Sequence, residues 1–142
     1  MALGALLLAA GNALVDGIQA GVAARRFGDV RPAHGFAFAR LAPDGATVSE
    51  LAGHLGVTRQ AAAQIVDELV AKGYVWRRPH PDDGRAQLVV LTERGWACTR
   101  AATQAAGDTV RGWGNTLGET RLRALGADLA VIAPAGRLRP TW

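Results

Sequence analysis

The sequence predicts a mainly α-helical chain carrying one small β-hairpin, and three observations support that class. Apolar residues recur at helical spacing near both ends of the chain. Two capped helical segments meet at a glycine turn near the middle. Two short β-like runs follow, separated by a stretch rich in proline, aspartate and glycine.

The chain's 142 residues suit one domain and can bury a core without disulfides or metal. Apolar residues make up 49 % of the sequence, which argues against a disordered chain. Sixteen basic and twelve acidic residues leave a net charge of +4, and Lys72 is the only lysine. Arginine's planar fork suits phosphates and base edges, although a mild positive excess alone is weak evidence for nucleic acid. The single cysteine, Cys98, excludes an intramolecular disulfide and fits a reducing cytoplasm.

Leu3 to about Phe27 reads as a helix, with Leu3, Leu7, Leu14, Ile18 and Val22 on one apolar stripe. Gly4, Gly11, Gly17 and Gly21 weaken it by about 1 kcal/mol each relative to alanine, so it needs packing partners. The run from Met1 to Ala10 resembles the apolar part of a signal peptide but lacks a basic leader. With Asn12 and Asp16 interrupting it, it reads as too short to span a bilayer, and no membrane partner is expected. Gly28-Asp29 ends the helix, and Pro32 can occupy the first turn of the next, His34 to Leu41. Pro43-Asp44-Gly45 forms a turn.

Thr47-Val48-Ser49-Glu50 has the form of a capping box: Thr47 can accept from the Glu50 amide, and Glu50 can reach back. Val48, Leu51, Ala52 and Leu55 make a short amphipathic helix that Gly56 ends. Thr58 can cap a second helix running to Lys72 and stopping at Gly73. Ala62, Ile65, Val66, Leu69 and Val70 form its apolar face; Arg59, Gln60, Ala63, Gln64 and Asp67 lie elsewhere. Two helices joined by a tight turn, the second with a polar face of small residues, make a helix-turn-helix.

Tyr74 to Arg78 and Ala86 to Leu91 read as strands, and the turn formers from Pro79 to Arg85 make them a hairpin, or wing. Thr92 can cap a long helix from Glu93 to about Thr116, which Gly107, Gly112 and Gly114 would bend or fray. A last helix, Glu119 to Ile132, carries Leu122, Leu125, Leu129 and Ile132. The tail from Gly136 to Trp142 is expected to be mobile.

Thr47-Val-Ser-Glu-Leu-Ala52, Gly73-Tyr-Val-Trp-Arg-Arg-Pro79, Asp83-Gly-Arg85 and Val90-Leu-Thr-Glu-Arg-Gly95 together resemble the MarR family of bacterial regulators. The resemblance is strongest from about Arg31 to Gly95. It implies one MarR-like domain over 1–142, with a winged helix-turn-helix core at about 31–92 and dimerisation helices at about 3–27 and 93–133. It also implies a homodimer that binds double-stranded DNA at a pseudo-palindromic operator. The expected activity is that of a cytoplasmic transcriptional repressor released by a small aromatic ligand, without a cofactor and without catalysis.

Carried over by position, Thr58 to Gln64 would open the recognition helix. Gln60 or Gln64 can pair with an adenine edge, Arg59 with guanine or phosphate, and Thr58 or Ala63 with a thymine methyl. Asp83 and Arg85 match the family's wing motif, in which the arginine enters the minor groove and the aspartate orients it. Arg77 and Arg78, at the base of the wing, would meet phosphates. Gly84 replaces a second wing arginine of many relatives, and Trp76 stands where a charge is frequent.

Each assignment has a plainer counterpart. The polar helix face can be simply solvated, and the domain can be a winged-helix module that holds a protein. Phe36, Phe38 and Trp96 can line a ligand cleft or fill the core. Cys98 can be a redox sensor with Arg94 on its face, or a packed apolar residue. His80, Asp82 and Asp83 read as solvated hairpin residues, and no metal site is expected. No nucleophile turn, phosphate-cradling loop or paired carboxylates point to an enzyme.

Overall fold

A computed structural model describes residues 2–140. Six helices and one two-stranded antiparallel sheet follow in the order α1 (Leu3–Ala24), α2 (Pro32–Leu41), α3 (Val48–Leu55), α4 (Arg59–Ala71), β1 (Val75–Pro79), β2 (Gln87–Leu91), α5 (Glu93–Leu117) and α6 (Glu119–Ile132). The predicted class, mainly helical with a hairpin wing between the fourth and fifth helices, is the one observed.

Contacts divide the chain into two compact units. One holds Val30–Arg100 with residues 137–140; the other holds residues 2–29 with Ala101–Gly136.

In the Val30–Arg100 unit the core is built from Ala37, Phe38 and Leu41 of α2, Leu51 and Leu55 of α3, Ala62, Val66 and Leu69 of α4, and Tyr74, Val75, Val89 and Leu91 from the wing. Thr47 caps α3 by accepting from the Glu50 amide at 3.1 Å. The other half of the predicted capping box is not formed, because the Glu50 carboxylate accepts from Arg40 of α2 at 2.6 Å instead. A charge-assisted bond to a guanidinium outcompetes a bond to a neutral amide. Gly56 closes α3 in the left-handed region at φ 68°, where a side chain would be strained. Gly45 stands at φ 80°, and a Cβ there would run into the Val89 carbonyl and the side chains of Val90 and Leu88. That closeness lets Ala46 pair with Val89 as an isolated bridge, tying the approach to α3 onto the wing. Thr92 caps α5 by accepting from the Gly95 amide at 3.1 Å, and its hydroxyl donates to the Gly73 carbonyl at 2.6 Å.

In the other unit, α1 lies against the later part of α5. The four glycines counted as weaknesses of α1 separate into two kinds. A Cβ on Gly17 would collide with Thr109, and one on Gly21 with Ala105, whereas Gly4 and Gly11 have no neighbour within 4 Å. Gly17 and Gly21, one helical turn apart, therefore serve a close helix approach, which Arg25 reinforces by donating to Asp108 at 2.7 Å. Even so, α1 buries only Val22, and α6 buries no residue. Gly107, Gly112 and Gly114 do not end α5, which runs unbroken to Leu117.

Two expectations change. The expectation that the N-terminal apolar run is too short to span a bilayer changes: α1, the helix expected from Leu3, spans 22 residues and reaches a mean hydropathy of 1.4, long and apolar enough to cross a membrane by length and composition. Two polar side chains cost a helix of this length too little hydropathy to interrupt it. The tail is also less free than its composition suggests, because the buried His54 donates through Nε2 to the Leu138 carbonyl at 2.9 Å. Thr141 and Trp142 lie outside the described residues.

Candidate nucleic-acid interface

The first turn of α4 is organised by Thr58, whose hydroxyl accepts from the Ala61 amide at 3.1 Å. Beyond this cap, Thr58, Arg59, Gln60 and Gln64 are exposed and Ala63 is half-buried. Ala62, Val66 and Leu69 are buried on the opposite face. The helical period thus separates the predicted contact residues from the core, and the structure brings all five onto the outer side of one helix.

The C-terminal half of α4 is fastened by its carboxylates. Glu68 accepts from Arg31 at 2.6 Å and from His34 Nε2 at 3.1 Å. His34 is fully buried, and its Nδ1 accepts from the Arg31 backbone amide at 3.0 Å, so neutral His34 carries its proton on Nε2. Burial lowers the His34 pKa, partly offset by the bond to Glu68. The bonds from Arg31 and His34 hold the Glu68 carboxyl below its ordinary value. Asp67 accepts from Arg77 of β1 at 2.5 Å, which ties the wing to α4.

In the wing, β1 pairs with β2 in the register Val75↔Leu91, Trp76↔Val90, Arg77↔Val89, Arg78↔Leu88 and Pro79↔Gln87. The guanidinium of Arg78 lies over the Trp76 ring, 5.0 Å from its centroid, and Trp76 is 50 % exposed. This is the contact that Trp76 makes, and the period-2 spacing of 76 and 78 on one strand was its sequence signal. At the tip, Asp83 and Arg85 are exposed. Asp83 accepts from the Arg85 backbone amide at 3.0 Å, so the recorded contact of the aspartate shapes the turn that carries the arginine. His80 does the same for Asp82, its Nδ1 accepting that backbone amide at 3.1 Å. Among the described residues no three His, Cys, Asp or Glu side chains are grouped to hold a metal.

The aromatic candidates for a ligand cleft divide. Phe38 is 3 % exposed and packs on Tyr74 with ring centroids 5.6 Å apart, so it is core. Phe36 and Trp96 are half-buried. Cys98 is 2 % exposed, and the guanidinium of Arg94 sits over Tyr74, 4.5 Å from the ring centroid, while donating to its hydroxyl at 3.1 Å. A thiol sensor needs access and a nearby cation; burial denies the first, and Tyr74 engages Arg94.

The sequence reading missed the supports of the site: Arg31, His34 and Glu68, the Arg40–Glu50 pair, and the partnership of Asp67 with Arg77. The one available signal was strand alternation, which puts Arg77 on the core face with Val75.

Comparison with known proteins agrees with this geometry. A family model described as the MarR family matches residues 36–86. Uncharacterized proteins of Mycobacterium bovis and Mycobacterium tuberculosis are 40 % identical over 60 residues, and the match spans 42 % of this chain and 42 % of each of theirs. Wild-type MarR from E. coli in its apo form is similar at 27 % identity, covering 94 % of this chain and 98 % of that one with a TM-score of 0.77. The reduced form gives 26 % identity over the same shares and a TM-score of 0.81. A MepR variant from S. aureus, bound to an oligodeoxyribonucleotide, shares the fold at 18 % identity and a TM-score of 0.67, covering 93 % of this chain and 96 % of its own.

Proposed function

We propose that the chain is a winged helix-turn-helix transcriptional regulator of the MarR family and that it binds double-stranded DNA as a symmetric homodimer in the cytoplasm. The observation that carries the reading is the capped, outward-facing first half of α4 beside an arginine-tipped wing anchored to the same helix. Each α4 enters a major groove, and the half-sites of a pseudo-palindromic operator lie about one helical turn apart, some 34–36 Å. Gln60 and Gln64 read adenine edges, Arg59 guanine or phosphate, and Thr58 and Ala63 thymine methyls. Arg85 enters the flanking minor groove, while the base of the wing, where β1 carries Arg77 and Arg78, faces the phosphate backbone.

The second copy follows from apolar surface that one chain leaves open. Leu3 is 71 % exposed and Leu7 40 % on α1; Leu125 is 41 % and Ile132 70 % on α6. Stripes of this kind on otherwise unburied helices suit a self-complementary interface. The match covering 94 % of the chain takes in most of α1, which supports its role as a subunit helix rather than a membrane span. The winged core at about 31–92 then serves DNA, and the helices at about 3–27 and 93–133 serve dimerisation.

The same proposal includes repression released by a small aromatic ligand, with Phe36 and Trp96 offering the aromatic surface. Such a ligand shifts the balance only by its difference in affinity between DNA-fitting and misfitting states. The test is selection of duplexes from a random pool by the purified protein, followed by gel shifts at two salt concentrations. Enriched inverted repeats that bind less tightly as salt rises support the reading. Failure to enrich any duplex, or a monomer by sedimentation, removes it.

A further inference from the structure

We propose that the two arginines of β1 divide the wing's work: Arg78, held on Trp76, makes the phosphate contact, whereas Arg77 is a strut that fixes the wing to the recognition helix. The inference rests on the DNA-binding reading above and assigns residues within it that sequence alone treats as equivalent.

Side chains of a strand alternate between its faces. Val75 and Arg77 stand opposite Leu91 and Val89, and Val75, Val89 and Leu91 are all buried. From the polar margin of this core face Arg77 reaches Asp67 of α4 at 2.5 Å. Its guanidinium is thus engaged and its charge balanced by a carboxylate. One donor of its fork is committed to Asp67, and a phosphate drawn to the remaining N–H groups would meet that carboxylate beside it.

Trp76 and Arg78 occupy the other face, opposite Val90 and Leu88. Arg78 lies over the Trp76 ring, and among the described residues it has no carboxylate partner. Stacking uses the flat face of the guanidinium and leaves its N–H edges free to donate in parallel to phosphate oxygens. The ring also restricts a long, exposed side chain before DNA arrives, which reduces the ordering cost of binding. Trp76 is therefore a positioning residue for Arg78, and its exposure is required by that role.

The experiment measures operator affinity against salt for the unmodified 142-residue protein and for Arg78→Ala, Trp76→Ala, Trp76→Tyr, Arg77→Ala and Asp67→Asn. Log affinity falls with log salt by about 0.9 per phosphate contact, so losing one contact from each protomer makes the slope shallower by about 1.8. Arg78→Ala is expected to show that change, and Trp76→Ala to move in the same direction with weaker binding. Trp76→Tyr keeps an aromatic face and is expected to recover both affinity and slope. Arg77→Ala and Asp67→Asn, two independent breaks of the strut, are expected to weaken binding with the slope as steep as in the parent. Equal loss of slope in Arg77→Ala and Arg78→Ala overturns the division. Unchanged DNA binding in Trp76→Ala overturns the positioning role. If the unmodified protein binds no duplex, the DNA-binding reading itself has failed, an outcome distinct from either of these.

Discussion

Replacing Thr58 by alanine removes the hydroxyl that caps the recognition helix. The bond it makes, accepting from the Ala61 amide at 3.1 Å, satisfies one of the amides that an α-helix leaves open at its start. Thr58 is exposed, so neither a cavity nor a buried orphan adds to the loss. The expected cost is that of a cap alone, about 1 kcal/mol. For a chain of this size that lowers the melting temperature by about 3 °C. Serine at the same position retains the hydroxyl and loses only the methyl group. Thr58→Ser is therefore expected to melt within about 1 °C of the parent, because the cap is what sets stability here. The two variants separate the structural role from the recognition role. If the methyl meets a thymine, Thr58→Ser weakens operator binding without lowering the melting temperature, and the loss disappears on an operator with that thymine replaced by uracil. Thermal unfolding by circular dichroism and titration of a labelled operator supply both readings. Thr58→Ala melting with the parent would refute the capping argument, and with it the premise that a preformed first turn presents Arg59 and Gln60.

Four further outcomes follow from the structure. His34 is buried with its pKa lowered by desolvation, so the folded state binds fewer protons than the unfolded state below the ordinary value of 6.5. Stability is then complete above that pH and lost as pH falls through the folded-state pKa; Glu68, also lowered, adds a loss of the same sign below 4.5. Urea unfolding from pH 8 to pH 5 should show the decline, flattened in His34→Gln, and an identical profile in that variant would sink the assignment. Gly53 lies within α3 with open space where a Cβ would go, so Gly53→Ala should stabilise by about 1 kcal/mol. In Gly95→Ala the new Cβ meets the Tyr74 carbonyl and Leu91, and the overpacking, about 1–3 kcal/mol, should outweigh the helix gain; the same unfolding assay distinguishes the signs. Because the Cys98 thiol is buried, Cys98→Ser should leave operator binding before and after peroxide the same as in the parent, and a response abolished by that change would restore the redox reading.

Features set by neighbouring residues were legible in the sequence. The caps at Thr47 and Thr58, the glycine stop at Gly56 and the limits of α6 depend on contacts within a few positions, and all are observed. What escaped the reading is long-range competition for the same groups. Glu50 had a local partner available and takes Arg40 instead. Arg94 is spaced to lie beside Cys98 and takes Tyr74 instead. Gly17 and Gly21 look like defects in α1 until Thr109 and Ala105 are set against them. A helical pattern records which face is apolar, but not which distant guanidinium arrives there.

The charge along α4 shows why those missed partners matter to the candidate site. The helix carries one basic residue, Arg59, and two acidic ones, Asp67 and Glu68, so its formal charge opposes binding to a polyanion. Their placement reverses the effect. No acid lies in the first turn, where the open amides and the helix dipole are already positive and Arg59 adds to them. Both acids lie in the second half, and both are engaged there: Glu68 by Arg31 and His34, Asp67 by Arg77. The carboxylates that would repel phosphate instead hold α2 and the wing against the helix. The residues that stabilise the mounting of α4 are thus also those that keep its outward end electropositive, and removing Arg31 or Arg77 would loosen the mounting and uncover a negative charge in the same step.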